Sequence, residues 1–499
     1  MTSFCTLPAR PILCAGMLYL ALPFFLFAAG WLQPVFSIPV CLAAAFGVVS
    51  ACRAMPAGVV PLSRRAVAGT ALLTAVCFLL AFLCGFTGHV PQHGDFFIRN
   101  AIYAELSAHA WPLVLPDGHH FIYYLGHWLP SSLAAQYCPP WLAPWLLTCW
   151  TFLGLALALL AAICRWGVRT ATWWAILLLG MGSVANTLNS LDSLGAIALL
   201  PPHNAQMTLI INIPAQLFST FNHAVPALLA ATLVLTRSLS PAGGFLAGAF
   251  LLLCSPLAGI ALLPYLIHEA LASPRPPGTG PAQKLRALLL QPAFLAALPP
   301  VLVLAAFYSH LEGGGAFTCL FGADYAAGYN YEKLQLILYP GSIKYASFLI
   351  SLALGILLPA LLLFPACKRL PLYYITLAGM ACCLFFRTGI MNNELLFKSP
   401  AVFYPFLAFL FLHAFRQGRP PYRILLATFI LTAAIPSVLA VAEKLQHFST
   451  DPAVMQSHRR ESYGGSLYHP EHPTYRQFIK QEGHPLPAWL FKTKTAPEP

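Results

Sequence analysis

The chain has 499 residues, 59% of them hydrophobic and 8% charged, with a formal net charge of +12 at pH 7. A mean hydropathy of +0.72 excludes a soluble globular fold and a disordered polar chain. The basic residues are scattered among short connections, so nothing forms the massed positive surface that a nucleic-acid partner requires.

The apolar runs predict helices. Each is roughly 20 residues long and continuously apolar, without the alternation of barrel strands, which makes a polytopic all-α membrane protein the expected fold. The first run, residues 11–31 behind Arg10, is too long for a secretion signal, lacks a small-x-small cleavage site and reads as a retained span. Residues 66–86 and 140–164 repeat the pattern. Basic residues in short connections mark the cytoplasmic side. These are Arg53, Arg64 and Arg65; Arg165 and Arg169; Arg237; Arg275, Lys284 and Arg286; Lys368 and Arg369; and Arg416, Arg419 and Arg423. With all of them inside, the N-terminus is cytoplasmic and the outer loops are 87–139, 186–212, 308–341 and 387–399. The membrane domain is then 1–443, and the polar tail 444–499 is extracytoplasmic, as on a bacterial inner membrane. We expect that tail to dock over the outer face as a lid.

Residues 243–268 have basic connections at both ends but length for one span only. The step Cys254-Ser255-Pro256 resolves this, because proline removes a backbone donor and crowds the preceding turn. Two half-helices are predicted there, bringing the total to about 13 membrane or half-membrane helices. The linker 273–280 reads as a flexible cytoplasmic connection.

A polar island interrupts this apolar chain: His93-Gly94-Asp95-Phe96-Phe97-Ile98-Arg99-Asn100, then Trp111-Pro112, then Tyr123-Tyr124-Leu125-Gly126-His127-Trp128-Leu129-Pro130. A helix starting near Gly94 would set Asp95 and Arg99 four residues apart on neighbouring faces, with Asn100 and Tyr103 adjoining, and would lie in the membrane interface. Asp95 then either caps that helix or supplies a catalytic carboxylate. Trp111, Tyr123, Tyr124 and Trp128 are residue types that stack on sugar or isoprenoid surfaces, and also those of an interfacial belt. The belt accounts for Trp141, Trp145, Trp173 and Trp174. Later outward-facing polar residues are Asp192, His203 and Asn204, then Asn222 and His223, then Asn392, Asn393, Glu394 and Lys398. A polar pair such as Asn222-His223 at the head of a span is expensive and points to function, or else to a hydrogen-bonded structural role. Neither His119-His120 nor His469-Pro470-Glu471-His472 has an established ligand spacing. The 14 cysteines sit mostly within apolar runs as small hydrophobes, with no disulfide framework.

Asp95 supplies a carboxylate able to take a proton from an acceptor hydroxyl, and Lys398, Arg387 and Arg99 are cations able to face a lipid phosphate at the outer boundary. Helix anchoring by snorkelling is the simpler role for Arg387.

In order along the chain, the island, Asn222-His223-Ala224, Ser255-Pro256-Leu257, Asn393-Glu394-Leu395 and Lys398-Ser399-Pro400 resemble the polytopic glycosyltransferases of the GT-C type and their bacterial relatives. The resemblance implies a helical bundle whose large first outer loop carries the catalytic acid, here Asp95. It implies a polyprenyl-phosphate-linked sugar donor and a glycan, lipid or protein acceptor. Substrate contacts would come from Arg99, Asn100, Trp111, Tyr123, Tyr124, His127, His223, Asn393, Glu394 and Lys398. Two departures leave metal dependence open. Gly94 precedes Asp95 where paired acids are common, so that Glu105 or Asp117 would serve as a second acid, and Glu394 with Lys398 replace an acid and an arginine. The rival readings are a lipid or glycan transporter and a non-catalytic scaffold. Charge gathered at one boundary, without repeated halves, favours the enzyme.

Overall fold

Lipid offers no hydrogen-bond partners, so each spanning segment must satisfy its own backbone, and the described residues are mostly helical. The computed structural model describes residues 4–92, 96–114, 120–193, 212–273, 280–309, 318–319, 349–387, 394–458 and 486–492. In order, the helices of the first half are α1 (Ala9–Trp31), α2 (Pro34–Ala54), α3 (Arg64–Phe82), α4 (Phe96–Ala108), α5 (Leu129–Ala135), α6 (Ala143–Trp166), α7 (Val168–Gly180), α8 (Val184–Ser193) and α9 (Ile213–Leu235). There follow α10 (Pro241–Cys254), α11 (Pro256–Ala272), α12 (Pro281–Leu289), α13 (Pro292–Leu295), α14 (Leu298–Tyr308), α15 (Leu358–Cys367), α16 (Pro371–Phe385), α17 (Glu394–Lys398), α18 (Pro400–Gln417), α19 (Pro420–Gln446) and α20 (Pro452–His458).

Among the described residues, seven stretches are long and apolar enough to cross a membrane: α1, α2, α3, α6 with its preceding turn, α9, Leu349–Cys367 and α19. The pair Pro281–Leu289 and Pro292–Tyr308, bent by 63°, makes an eighth if it is one span. The protein is therefore an all-α, multi-pass membrane protein. It divides into two compact units, one of residues 1–169, 221–314 and 447–499 and the other of residues 170–220 and 315–446.

In the first unit, α1 and α2 run antiparallel through a tight turn at Leu32 and Gln33, and their other ends are joined by a two-stranded ribbon, β1 (Cys5–Pro8) against β2 (Val59–Leu62), with Cys5 opposite Leu62. Basic side chains gather at this ribbon end. Arg10 Nε donates to the Met55 carbonyl at 3.2 Å, Arg165 Nε to the Thr236 carbonyl at 3.1 Å, and Arg237 pairs with Glu269 at 3.2 Å. Helices also start here by serine capping. The Ser63 hydroxyl accepts from Ala66 N–H and Ser240 from Gly243 N–H, each cap being worth about 1 kcal/mol. Small residues let the backbones approach, as expected where packing and not water exclusion holds helices together. A Cβ on Gly154 of α6 would lie 2.4 Å from Val225 of α9 and 2.6 Å from the Tyr19 hydroxyl of α1.

The half-helices expected at Cys254-Ser255-Pro256 are α10 and α11. They fold back on one another: Gly244 and Gly248 receive the Leu266 side chain, and Gly259 receives Leu252. Ser255 is extended (φ −163°, ψ 92°) and its hydroxyl caps α11 by accepting from Ala258 N–H.

The described parts of the tail also belong to this unit. Ser449 N–H donates to the His89 carbonyl and Gln92 N–H to the His458 carbonyl, at 2.9 and 3.0 Å. Further on, Gln33 N–H donates to the Leu490 carbonyl and Lys492 N–H to that of Trp31. The tail thus returns to the α1–α2 turn and to the loop after α3, at the end away from the ribbon.

In the second unit, Trp174 is buried and its Nε1 donates to the Pro405 carbonyl at 3.0 Å, while Trp173 is exposed. Trp174 therefore departs from the interfacial-belt expectation, because its indole satisfies a carbonyl inside the unit. Thr187 donates to the Thr432 carbonyl at 2.6 Å, and Ala185 packs against Ile350 and Leu354. A short ribbon pairs Thr318–Cys319 with Phe386–Arg387.

Candidate functional site

The broken hairpin leaves carbonyls without helical partners, because Pro256 has no N–H for Leu252 and the break also frees Leu253. Both are satisfied from elsewhere in the first unit. The Tyr308 hydroxyl at the end of α14 donates to the Leu252 carbonyl at 3.2 Å, and Gly126 N–H donates to that of Leu253 at 3.2 Å. The conspicuous loop Tyr123–Trp128 is thereby pinned on the hairpin tip. Only glycine fits at 126, since a Cβ there would stand 2.5 Å from Cys254 Sγ.

Pinning the loop turns its side chains towards α6 and α9. His127 is buried, with Nε2 3.1 Å from the Thr151 hydroxyl of α6 and its ring 5.3 Å from that of Phe221 on α9. Burial alone lowers its pKa to about 3, so the imidazole is neutral at physiological pH. Phe221 is the hub of an aromatic collar, with Phe86 at 4.6 Å, Phe96 at 5.8 Å and Trp128 at 5.9 Å. It follows directly on a kink in α9 at Thr220 (φ −132°, ψ 39°). The next residues, Asn222 and His223, are buried. The His223 ring lies edge-on to Tyr124 at 5.3 Å, and Tyr124 also meets Tyr308 at 5.7 Å.

Of the residues singled out in the sequence, Tyr123, Tyr124, His127 and His223 are therefore brought together. Arg99 is on α4, buried, with its guanidinium 5.8 Å from the Phe96 ring, a member of the same collar. Asn100 is tied to Gln92, donating at 2.7 Å. Trp111 stands apart: it packs on Trp31 at 5.5 Å and its Nε1 donates to the Leu106 carbonyl at 3.0 Å, which anchors the loop to the α1–α2 turn. Glu394 and Lys398 pair with each other within α17 of the second unit, and Lys398 is buried. Asp95, Asn393, Asp117, His119, His203, Asn204, Asn392 and the run His469–His472 lie outside the described residues. Glu105, the other acid considered for the loop, pairs with His109 at 3.2 Å. Among the described residues no three His, Cys, Asp or Glu side chains are grouped to hold a metal.

Tyr308, Phe221, Thr151 and Trp150 were not singled out from sequence. Thr151 and Trp150 sit inside a continuous apolar run, and Tyr308 at the edge of one, where a polar atom looks like filler. The legible signal was Pro256: a proline inside a span implies orphaned carbonyls, which demand donors nearby.

No family model matches the chain, and neither a curated protein nor a solved structure matches it.

Proposed function

We propose that this multi-pass membrane protein is a glycosyltransferase of the GT-C kind, moving a sugar from a polyprenyl-phosphate carrier to a glycan, lipid or protein acceptor. The reading sets it in a bacterial inner membrane, N-terminus cytoplasmic and tail extracytoplasmic, with about 13 membrane or half-membrane helices. The observation that carries it is the gathering of Tyr124, His127, Asn222, His223 and, through Phe96, Arg99 at the end of the first unit opposite its basic ribbon end. Buried polar groups in an apolar bundle are costly and mark function.

In the proposed reaction Asp95 takes the proton of the acceptor hydroxyl as its oxygen bonds to the anomeric carbon, and the bond from that carbon to the phosphate oxygen breaks. Arg99, buried on the helix that follows Asp95, is the candidate to face the departing phosphate. A divalent metal remains an open element of the proposal.

The buried lysines Lys398 and Lys444 of the second unit favour a second reading, a lipid or glycan transporter. Mass spectrometry of lipid-linked sugars in cells lacking the protein separates the two. Accumulation of a polyprenyl-phosphate sugar, cleared into a glycan by wild type and not by Asp95→Asn, is the expected result. Full rescue by Asp95→Asn makes Asp95 a cap and removes the proposed mechanism. A carrier that changes membrane side without losing its sugar indicates transport.

A further inference from the structure

Asn222 is fully buried, and neither atom of its amide has a hydrogen-bond partner. Leaving a buried amide unpaired forfeits its hydration without replacement, so an unpaired pair of atoms requires an explanation. Its surroundings supply one. Asn222 precedes Val225 by three residues and so shares its face of α9. Val225 meets Gly154 of α6, which in turn meets Tyr19 of α1. One turn along α6 from Gly154 lie Trp150 and Thr151, on the side of the hairpin-pinned loop, since Thr151 reaches His127. Tyr19 stacks on Trp150 with ring centroids 4.0 Å apart.

The same neighbourhood holds further unpaired atoms. Trp150 Nε1, Trp128 Nε1 and His127 Nδ1 are buried without a partner, like the Asn222 amide. Together they offer several donors and, in the Asn222 carbonyl, an acceptor, set among aromatic rings. None of these groups is charged, His127 included. These unpaired groups suit neutral hydroxyls, which match both donor and acceptor, better than a phosphate or carboxylate, whose partner in this gathering is Arg99.

We propose that this cluster is the subsite for the uncharged, polyhydroxylated part of the substrate, a single glycosyl group, and that Asn222 reads one of its hydroxyls by donating and accepting together. This rests on the glycosyltransferase reading and adds to it a division of labour. The sugar is held by the uncharged groups of α6, α9 and the pinned loop, and the charged lipid phosphate is left to Arg99. Sites built to hydrogen-bond a hydroxyl discriminate strongly against an analogue lacking it, because the protein groups are then left unpaired.

The test uses the full chain in lipid nanodiscs and two probes, a polyprenyl monophosphate and the same lipid phosphate carrying one hexose, with binding followed by quenching of tryptophan fluorescence. The wild type is expected to bind the glycosylated lipid at least 10-fold more tightly. Asn222→Leu, of similar size, is expected to lose that increment, to bind the sugar-free lipid as before, and to unfold at the same or a higher temperature because an unpaired amide has been removed. Asn222→Leu that keeps the full increment overturns the subsite. So does a fall in unfolding temperature with no change in binding, which marks an amide satisfied by buried water. A wild type that binds the sugar-free lipid and gains nothing from the hexose overturns the subsite and leaves the transferase reading to the accumulation experiment. Binding of neither lipid overturns both.

Discussion

Gly126 N–H donates to the Leu253 carbonyl at 3.2 Å, and the space for a Cβ at Gly126 is taken by Cys254 Sγ at 2.5 Å. The loop can occupy the hairpin tip only while residue 126 has no side chain. Gly126→Ala is expected to push the loop off the tip, at a cost of about 1–3 kcal/mol, as for overpacking in a tight core. Cys254, now buried, would gain reactivity with a membrane-permeant maleimide, which mass spectrometry reads directly. Unchanged labelling and unfolding temperature would mean that the loop is held by something other than this contact.

The second partner of the broken hairpin gives an independent check. In Tyr308→Phe the ring keeps its edge contact with Tyr124 while the Leu252 carbonyl loses its donor. A buried carbonyl left unpaired costs about 1–3 kcal/mol, so the variant should unfold earlier in detergent than wild type. An unchanged unfolding temperature in Tyr308→Phe would show that the Leu252 carbonyl is satisfied by a group other than this hydroxyl.

How far the sequence carried this far is visible in those same residues. Pro256 announced a break, and the serine before it a cap, because both effects are local and depend on backbone chemistry alone. Which donors would answer the orphaned carbonyls was not legible, since Gly126 and Tyr308 are 127 and 56 residues away along the chain, and only tertiary packing joins them. The polar island drew notice by contrast with its apolar surroundings. That contrast located Tyr124 and His127, as the polar pair at the head of a span located His223, but it could not separate Trp111, which anchors a loop, from residues that line the cluster. Trp174 failed for the same reason: an indole at a helix boundary reads as interfacial whether it faces lipid or a buried carbonyl.

The tail offers a prediction about local stability. Phe491 is buried, lies 6.0 Å from the Phe307 ring and is bridged to Leu32, while Gln33 Nε2 donates to the Ala488 and Phe491 carbonyls at 3.3 and 3.2 Å. Phe491→Ala removes the ring that wedges this segment in place, and truncations of buried phenylalanine cost about 3–5 kcal/mol. Because the segment is short, release of the tail from the α1–α2 turn is the expected response, not global unfolding. Hydrogen exchange should show lost protection at Gln33 and Leu490 to Lys492 with little change in α6 or α9. Equal loss across the first unit would make the tail part of its core.

His127 gives the pH dependence. Its pKa is lowered to about 3 by burial, against about 6.5 in the unfolded chain. Between those values the unfolded state binds a proton that the folded state refuses, so folded stability falls as the pH drops from 6.5 towards 3 and is complete above 6.5. The slope from this one group approaches about 1.4 kcal/mol per pH unit. His127→Gln keeps a polar atom near the Thr151 hydroxyl and removes the titration. The difference in unfolding temperature between pH 7.5 and pH 5 should therefore be smaller in His127→Gln than in wild type, and Thr151→Val should not flatten it. Equal pH dependence in the variant and the wild type would mean that His127 is protonated when folded, which would remove the neutral character assigned to the cluster around Asn222.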